Sequence, residues 1–274
     1  MKTFVKTLVI FFFSFSLTVK VPAQNTSFDQ YPYKPNKAYF ASYWTAIKKT
    51  ATGPARWKKQ QWITFGGVVV GGTALYIFDD NIRNFFQAHQ TPLLDKFSKY
   101  GAEPWGSGLY TLPFLGGYYL YGLATKNTRA RQVALAGTEA FVVSALSVEI
   151  LKLAFGRHRP YQDTPANPRK WEGPFHSWGY NSMPSGHTTV AFAVATVFAS
   201  AYKDKPWVGI VSYSLATGVG LSRIYDNKHW SSDVLIGAAL GYAVGQTVVH
   251  VMKGNKNISM CVTDYGTFGL AYNF

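Results

Sequence analysis

SRIYDNKHWSSD, residues Ser222–Asp233, lies between two apolar runs and carries the arrangement on which the fold turns. Ser222 and Arg223 are followed by His229 and, four residues later, by Asp233. On a helix, residues i and i+4 share a face. The spacing therefore predicts that Asp233 keeps one imidazole nitrogen of His229 protonated and leaves the other free as a nucleophile. Read alone, the pair is equally well explained as a structural His–Asp contact capping a helix.

Two stretches upstream change its weight. In NSMPSGH, Asn181–His187, the residues Pro184, Ser185 and Gly186 read as a helix start, directly before an apolar run from Thr188. The first amides of such a helix and the Ser185 hydroxyl can bind an anion, with His187 facing it as proton donor or acceptor. KLAFGRHRP, Lys152–Pro160, supplies Lys152 and Arg159, seven positions apart, although Gly156 and Pro160 signal that the helix ends between them. An arginine fork binds two oxyanion oxygens, and a lysine adds a movable point charge. Each stretch alone reads as a helix end or a solvated turn. Together they bring Lys152, Arg159 and Arg223, two histidines and a carboxylate into 82 residues. A tetrahedral oxyanion needs such a set. Zinc fits poorly, because the histidines lack metal-site spacing and the cations would repel a metal. His158, between Lys152 and Arg159, reads as a pocket-edge residue; His176, with Trp171, Phe175 and Trp178, could shape an entrance.

Composition narrows the setting. The chain has 274 residues, 47% hydrophobic and 17% aromatic, with only 15% charged, well below the roughly 25% of a soluble domain. The net charge is +14, but the cations are dispersed, at Lys48, Lys49, Arg56, Lys58 and Lys59 and again at Lys126, Arg129 and Arg131. That placement suits membrane flanks or an anionic substrate and argues against a nucleic-acid partner. Cys261 is the only cysteine, which excludes an internal disulfide and a thiolate metal cluster.

Residues 1–23 read as a secretory signal, with Lys2 and Lys6 before an apolar stretch from Thr7 to Thr18 and a small-residue pattern ending at Ala23. A polar N-terminal segment, 24–60, holds a short helix between turns. Six apolar stretches follow, at about 62–78, 105–124, 133–155, 188–202, 206–221 and 235–251, too long for buried strands and rich in Gly, Ala and Tyr. The expected fold class is all-α, with a helical domain over 61–252 and a short C-terminal tail, 253–274, able to form a strand or hairpin. A mean hydropathy of −0.03 is low for six spans. Aromatic residues at the ends of the early stretches and the scarcity of charge within them favour the membrane. Charge bias puts 48–59 and 126–131 inside the cell and 156–187 outside, whereas a cleaved signal followed by three full spans does the reverse.

The three stretches resemble the motifs KxxxxxxRP, PSGH and SRxxxxxHxxxD of the type 2 phosphatidic acid phosphatase (PAP2) family, which includes soluble bacterial acid phosphatases and vanadium-dependent haloperoxidases. Every defining position, spacing and the order along the chain match, and the resemblance covers about 130–251 strongly. It implies a six-helix membrane-type PAP2 bundle and a phosphatase acting on a lipid phosphate or pyrophosphate through a phosphohistidine. It further implies His229 as nucleophile, Asp233 as its orienting group and His187 as acid and base, with no cofactor and no metal. Lys152, Arg159, Ser185, Gly186 and Arg223 would hold the phosphoryl oxygens. The implied location is a bacterial-type cell envelope, with the site facing the periplasm or exterior. The alternatives are a soluble exported acid phosphatase and a non-catalytic lipid-binding or scaffold protein. Oligomeric state is not legible.

Overall fold

The computed structural model describes residues 31–174, 181–253, 259–262 and 268–271. The expected signal segment, 1–23, and the entrance residues Phe175, His176 and Trp178 lie outside them.

Helix α1, Lys37–Thr52, starts where the Asn36 side chain accepts from the Tyr39 amide at 3.0 Å. It precedes α2, Lys59–Ala88, at whose start the Lys58 amide donates to the Gln61 side chain at 2.8 Å. The apolar pattern places this helix over 62–78, but it continues ten residues further. The extension stays helical although it is polar, because Asp79 turns inward, fully buried, and Arg83 donates to Asn227 at 2.8 Å. Thr91 then caps α3, Pro92–Lys96, which leads through a π-helical turn at Phe97–Ala102 into α4, Glu103–Ser107.

The stretch 105–124 is not one helix. Gly108 adopts φ 94°, a left-handed conformation that ends α4, and α5 resumes over Thr111–Ala124. Helix α6, Thr128–Phe155, runs from an Asn127 cap to Gly156, whose φ of 66° turns the chain sharply out of the helix. Three further helices follow: α7, Gly186–Ala201, α8, Pro206–Tyr225, and α9, Ser231–Met252. Beyond them Ser259–Val262 and Phe268–Ala271 pair antiparallel, Ser259 opposite Ala271.

The main core lies where α6, α7 and α9 meet, around Val133, Ala140, Val143, Ala193, Val197, Val244 and Val248. The α7–α9 approach depends on glycines four apart. A Cβ on Gly237 would lie 2.7 Å from the Ser185 carbonyl oxygen, one on Gly245 2.7 Å from that of Ala193, and one on Gly241 would run into that of Thr189. Such small-residue spacing lets backbones approach closely. Gly241→Ala is therefore expected to destabilise the protein by about 1–3 kcal/mol, read as a lowered Tm in detergent; an unchanged Tm would mean the helices are not pressed together there.

Helices α2, α6 and α9 are long and apolar enough to cross a membrane, and α7 is a shorter apolar helix. The outer face of α2 is apolar and uncovered, with Val70 70% and Ile77 60% exposed. At about 1.5 Å per residue a 20-residue segment spans a bilayer core of about 30 Å. The helical part is all-α, and by length and composition three of its helices can cross a membrane.

The helices sort their ends into two groups. One end collects the C-termini of α6 and α8 with the N-termini of α7 and α9. The other holds α1, tied to α6 by Tyr31 and Ser42, which both donate to Glu139 at 2.6 Å. Arg129 closes the same end, donating to the Ala201 carbonyl and pairing with Asp204.

Candidate active site

Three turns build the first end. After Gly156 the chain runs extended past Trp171, with the His158 amide donating to the Lys170 carbonyl at 3.1 Å and the Glu172 amide to that of Gly156 at 2.8 Å. Lys152 and Arg159 thus sit on a helix end and on the loop beyond it, not on one continuous helix. Lys152 Nζ bonds Glu149 at 2.9 Å and lies 3.6 Å from where a Cβ on Gly186 would be, which places it against the PSGH turn. Arg159 donates through Nε and NH2 to Asn181 Oδ1 at 3.2 and 3.0 Å.

Ser185 is the N-cap residue of α7, as its sequence predicts, but its groups are partly engaged. Its amide donates to the Asp233 carbonyl at 3.1 Å, and its hydroxyl lies 2.9 Å from Thr188 Oγ1. Gly186 and His187 open the helix at the Lys152 ammonium. A helix N-terminus with a lysine beside it is favourable ground for an anion.

His229 and Asp233 meet for a different reason from the helical spacing first inferred. Helix α9 begins at Ser231, so His229 lies in the preceding turn. Asp233 is at the third helical position and reaches back, with Oδ2 accepting from the Trp230 amide at 3.0 Å. Capping geometry, not a shared helix face, directs the carboxylate at the imidazole. The gap from Asp233 Oδ2 to His229 Nδ1 is 3.8 Å, longer than a hydrogen bond. Asp233 has other partners as well. Oδ2 also accepts from Ser182 at 2.6 Å, and Oδ1 from Arg157 NH1 at 2.5 Å.

Burial pushes the His229 imidazole down to about 4; Asp233 opposes this, while Arg159 and Lys152 add to it. At neutral pH the ring is uncharged and keeps a lone pair. His187 lies within electrostatic reach of Arg223, His229, Lys152 and Arg159. His229 Nδ1 and His187 Nε2 are both buried without a hydrogen-bond partner. His229 Nδ1 faces Asp233, whereas His187 Nε2 stands among the cations and is costly there unless a polar ligand completes it.

Arg223 enters from the end of α8. Its NH2 pairs with Asp226 at 2.7 Å, and its NH1 is 3.7 Å from Glu103 on α4. Glu103 also stands 3.8 Å from His187 Nε2. It is a carboxylate set in a cationic pocket, and sequence reasoning missed it because α4 carries none of the three motifs.

Two further residues escaped the sequence. Arg157 and Asp79 are completely buried and paired at 2.7 Å directly behind Asp233. Arg157 was hidden at a variable position of the first motif, and Asp79 ended an apolar stretch. His158 is no pocket-edge residue: Nδ1 lies 2.9 Å from Asp163 and Nε2 2.7 Å from Glu172, stitching the loop to itself. Trp171 packs over the Arg157 guanidinium at 5.1 Å with Tyr76 beside it. Among the described residues, no group of three or more His, Cys, Asp or Glu is arranged to hold a metal ion.

Similar proteins carry the same region. Residues 133–257 match the PAP2 superfamily. Over 96 residues the chain is 45% identical to a lipid A 1-phosphatase of Porphyromonas gingivalis, covering 35% of this chain and 18% of that protein. The chain therefore spans only a minor part of that relative's length. A decaprenylphosphoryl-5-phosphoribose phosphatase of Mycobacterium tuberculosis is 34% identical over 138 residues, 50% of this chain and 71% of its own. A PA-phosphatase related-family protein of Dictyostelium discoideum is 31% identical over 198 residues, 64% of this chain and 68% of its own. The crossing of α7 and α9, the capped turn at His229 and these identities have one common reading: the chain belongs to the PAP2 superfamily.

Proposed function

We propose that the protein is a membrane-embedded lipid phosphatase that works through a phosphohistidine on His229. The observation that carries this reading is the unpartnered His187 Nε2 beside His229, whose Nδ1 faces Asp233, among Lys152, Arg159 and Arg223. The phosphoryl oxygens take the three cations, the Ser185 hydroxyl and the Gly186 amide. His229, with Nδ1 held toward Asp233, attacks phosphorus through Nε2 while the bond from phosphorus to the leaving oxygen breaks. Burial and the neighbouring cations push the free His187 imidazole down to about 3, so it takes up a proton once the bound phosphate offsets those cations, and as an imidazolium it gives that proton through Nε2 to the leaving oxygen. A water then attacks the phosphohistidine, His187 takes the water's proton, and inorganic phosphate leaves as His229 returns to the neutral ring. Fixed cations hold charge on the oxygens throughout, and no step needs a metal.

The substrate class is a lipid carrying a terminal phosphate. Support comes from the uncovered apolar face of α2 and from two relatives whose names specify lipid-linked phosphates. We take six helices, α2 and α5–α9, as the spans, with α1 at the interface. The deciding experiment is phosphate release, with EDTA present, from a lipid monophosphate, a lipid pyrophosphate and a small soluble ester. Strong preference for a long-chain lipid supports the proposal. Equal turnover of the soluble ester would favour a non-specific acid phosphatase.

The site end faces the periplasm or exterior in this reading. Lys48, Lys49, Arg56, Lys126 and Arg129 flank helix ends on the opposite side, and Lys/Arg in short flanking segments mark the cytoplasmic side. In a Cys261→Ser background, a membrane-impermeant maleimide applied to intact cells should label Lys228→Cys and spare Lys126→Cys. The reverse pattern would invert the topology.

Glu103 competes with the incoming phosphate for Arg223 and His187. Coulomb attraction at about 4 Å is worth about 1 kcal/mol in water and more in a protein. Glu103→Gln should therefore tighten inhibition by orthovanadate, a phosphate mimic, by roughly two- to tenfold. Unchanged inhibition would show that Glu103 stays clear of the phosphoryl position.

A further inference from the structure

Behind the nucleophile lies a buried layer that the three motifs do not describe. The Arg157 guanidinium has no exposed surface. NH1 donates to Asp233 Oδ1 at 2.5 Å and to Ser232 Oγ at 2.8 Å, and NH2 donates to Asp79 Oδ2 at 2.7 Å. Nε and NH2 both reach the Pro168 carbonyl, at 3.2 and 3.0 Å. The rings of Tyr76, Trp171 and Trp230 lie around the guanidinium at 5.0, 5.1 and 5.5 Å.

Asp79 is as fully held as Arg157. Oδ1 accepts from Ser231 Oγ at 2.6 Å and from the Ser232 amide at 2.9 Å. Oδ2 accepts from Ser232 Oγ at 2.5 Å in addition to Arg157. Four hydrogen bonds thus converge on one buried carboxylate. Asp79 comes from α2, far from the motifs in sequence, and ties that helix to the first turn of α9.

The charges decide what this layer does. Arg157 alone would cancel Asp233, the carboxylate directed at the imidazole, while Glu103 on α4 stands against His187 and Arg223. His229 becomes cationic when its Nε2 bonds to phosphorus while Nδ1 keeps its proton. Around it stand Lys152 from α6, Arg159 from the following loop, His187 from α7 and Arg223 from α8, with Asp233 from α9 the carboxylate that faces it. Adding Asp79 makes the assembly Asp79–Arg157–Asp233 one net negative charge.

We propose that Asp79 is a positioning residue that acts through Arg157, restoring to Asp233 the net negative charge needed to stabilise the cationic phosphohistidine. The inference rests on the phosphohistidine reading of the site. Asp79 touches neither substrate nor His229. Its effect therefore falls on the rate of phosphoryl transfer and on the proton affinity of His229, not on substrate binding.

The test compares wild type, Asp79→Asn and the double variant Asp79→Asn/Arg157→Met, purified in detergent. Asp79→Asn retains the shape of the site and lowers the buried charge from −1 to zero. It should reduce kcat about 10- to 100-fold, as loss of a supporting hydrogen-bonded partner does at other sites, with KM unchanged. The acid limb of kcat/KM should move to lower pH, because His229 binds a proton less readily. The double variant removes the arginine as well and returns the charge to −1 through Asp233 alone. It should recover a substantial part of kcat and bring the acid limb back. Thermal unfolding reports whether each variant is folded. A purely structural Asp79 would give a double variant worse than the single one and an unmoved acid limb, and that result would overturn the proposal. So would a folded Asp79→Asn enzyme with wild-type kcat. If His229→Ala keeps turnover, the phosphohistidine reading has failed; if His229 is essential and Asp79→Asn is silent, only the present inference has.

Discussion

Replacing His229 with alanine is expected to remove phosphate release by about 10⁵-fold or more, because the covalent route then has no nucleophile. The protein should still fold. His229 lies in a turn ahead of α9, and its Nδ1 makes no hydrogen bond, so truncation leaves the Trp230–Asp233 cap in place. A melting temperature close to wild type with turnover gone separates a nucleophile from a structural histidine. The opposite pair of results, lost stability with turnover intact, would assign the His–Asp contact to packing. The same residue sets the acid limit. With its imidazole at about 4 in the free protein, kcat/KM should hold as pH falls toward 5 and drop as it passes 4, where protonation removes the attacking lone pair.

His187→Ala carries the second large effect, and its size depends on the leaving group. A lipid alkoxide is a poor leaving group and needs a proton as it departs, so the variant should lose about 10²–10⁴-fold. An aryl phosphate leaves without that help, and for it the first step should be nearly normal. The second step still lacks its base. Phosphoenzyme should therefore accumulate in His187→Ala given an aryl phosphate, seen as a burst of phenol followed by slow turnover. Equal losses on both substrates would remove His187 from proton transfer and leave it a binding role.

The candidate site was legible in outline because it draws on side-chain types at set intervals along the chain. Lys152, Arg159, His187, Arg223, His229 and Asp233, which the sequence sets in three stretches, lie at one end of the helices. Local geometry was less legible. A four-residue interval reads as a helix face, yet His229 precedes its helix and Asp233 reaches it through a capping bond. Hydropathy placed the apolar stretches on helices but ran α4 and α5 together, since a single glycine at positive φ barely changes an apolar average. It also ended α2 too early, because a buried carboxylate such as Asp79 looks like a helix boundary until its partner is known. Arg157 and Glu103 were invisible for a related reason. Their roles come from contacts across 75 or more residues of chain, which no local pattern encodes.

The most direct test of the central claim is to quench the reaction within one turnover and locate the phosphoryl group. His187→Ala, supplied with a labelled aryl phosphate in EDTA and stopped in base, should carry phosphate on His229, stable to alkali and lost in mild acid. The double variant His187→Ala/His229→Ala should carry none. Label on another residue, or phosphate release with no phosphorylated protein at any time, would contradict the account.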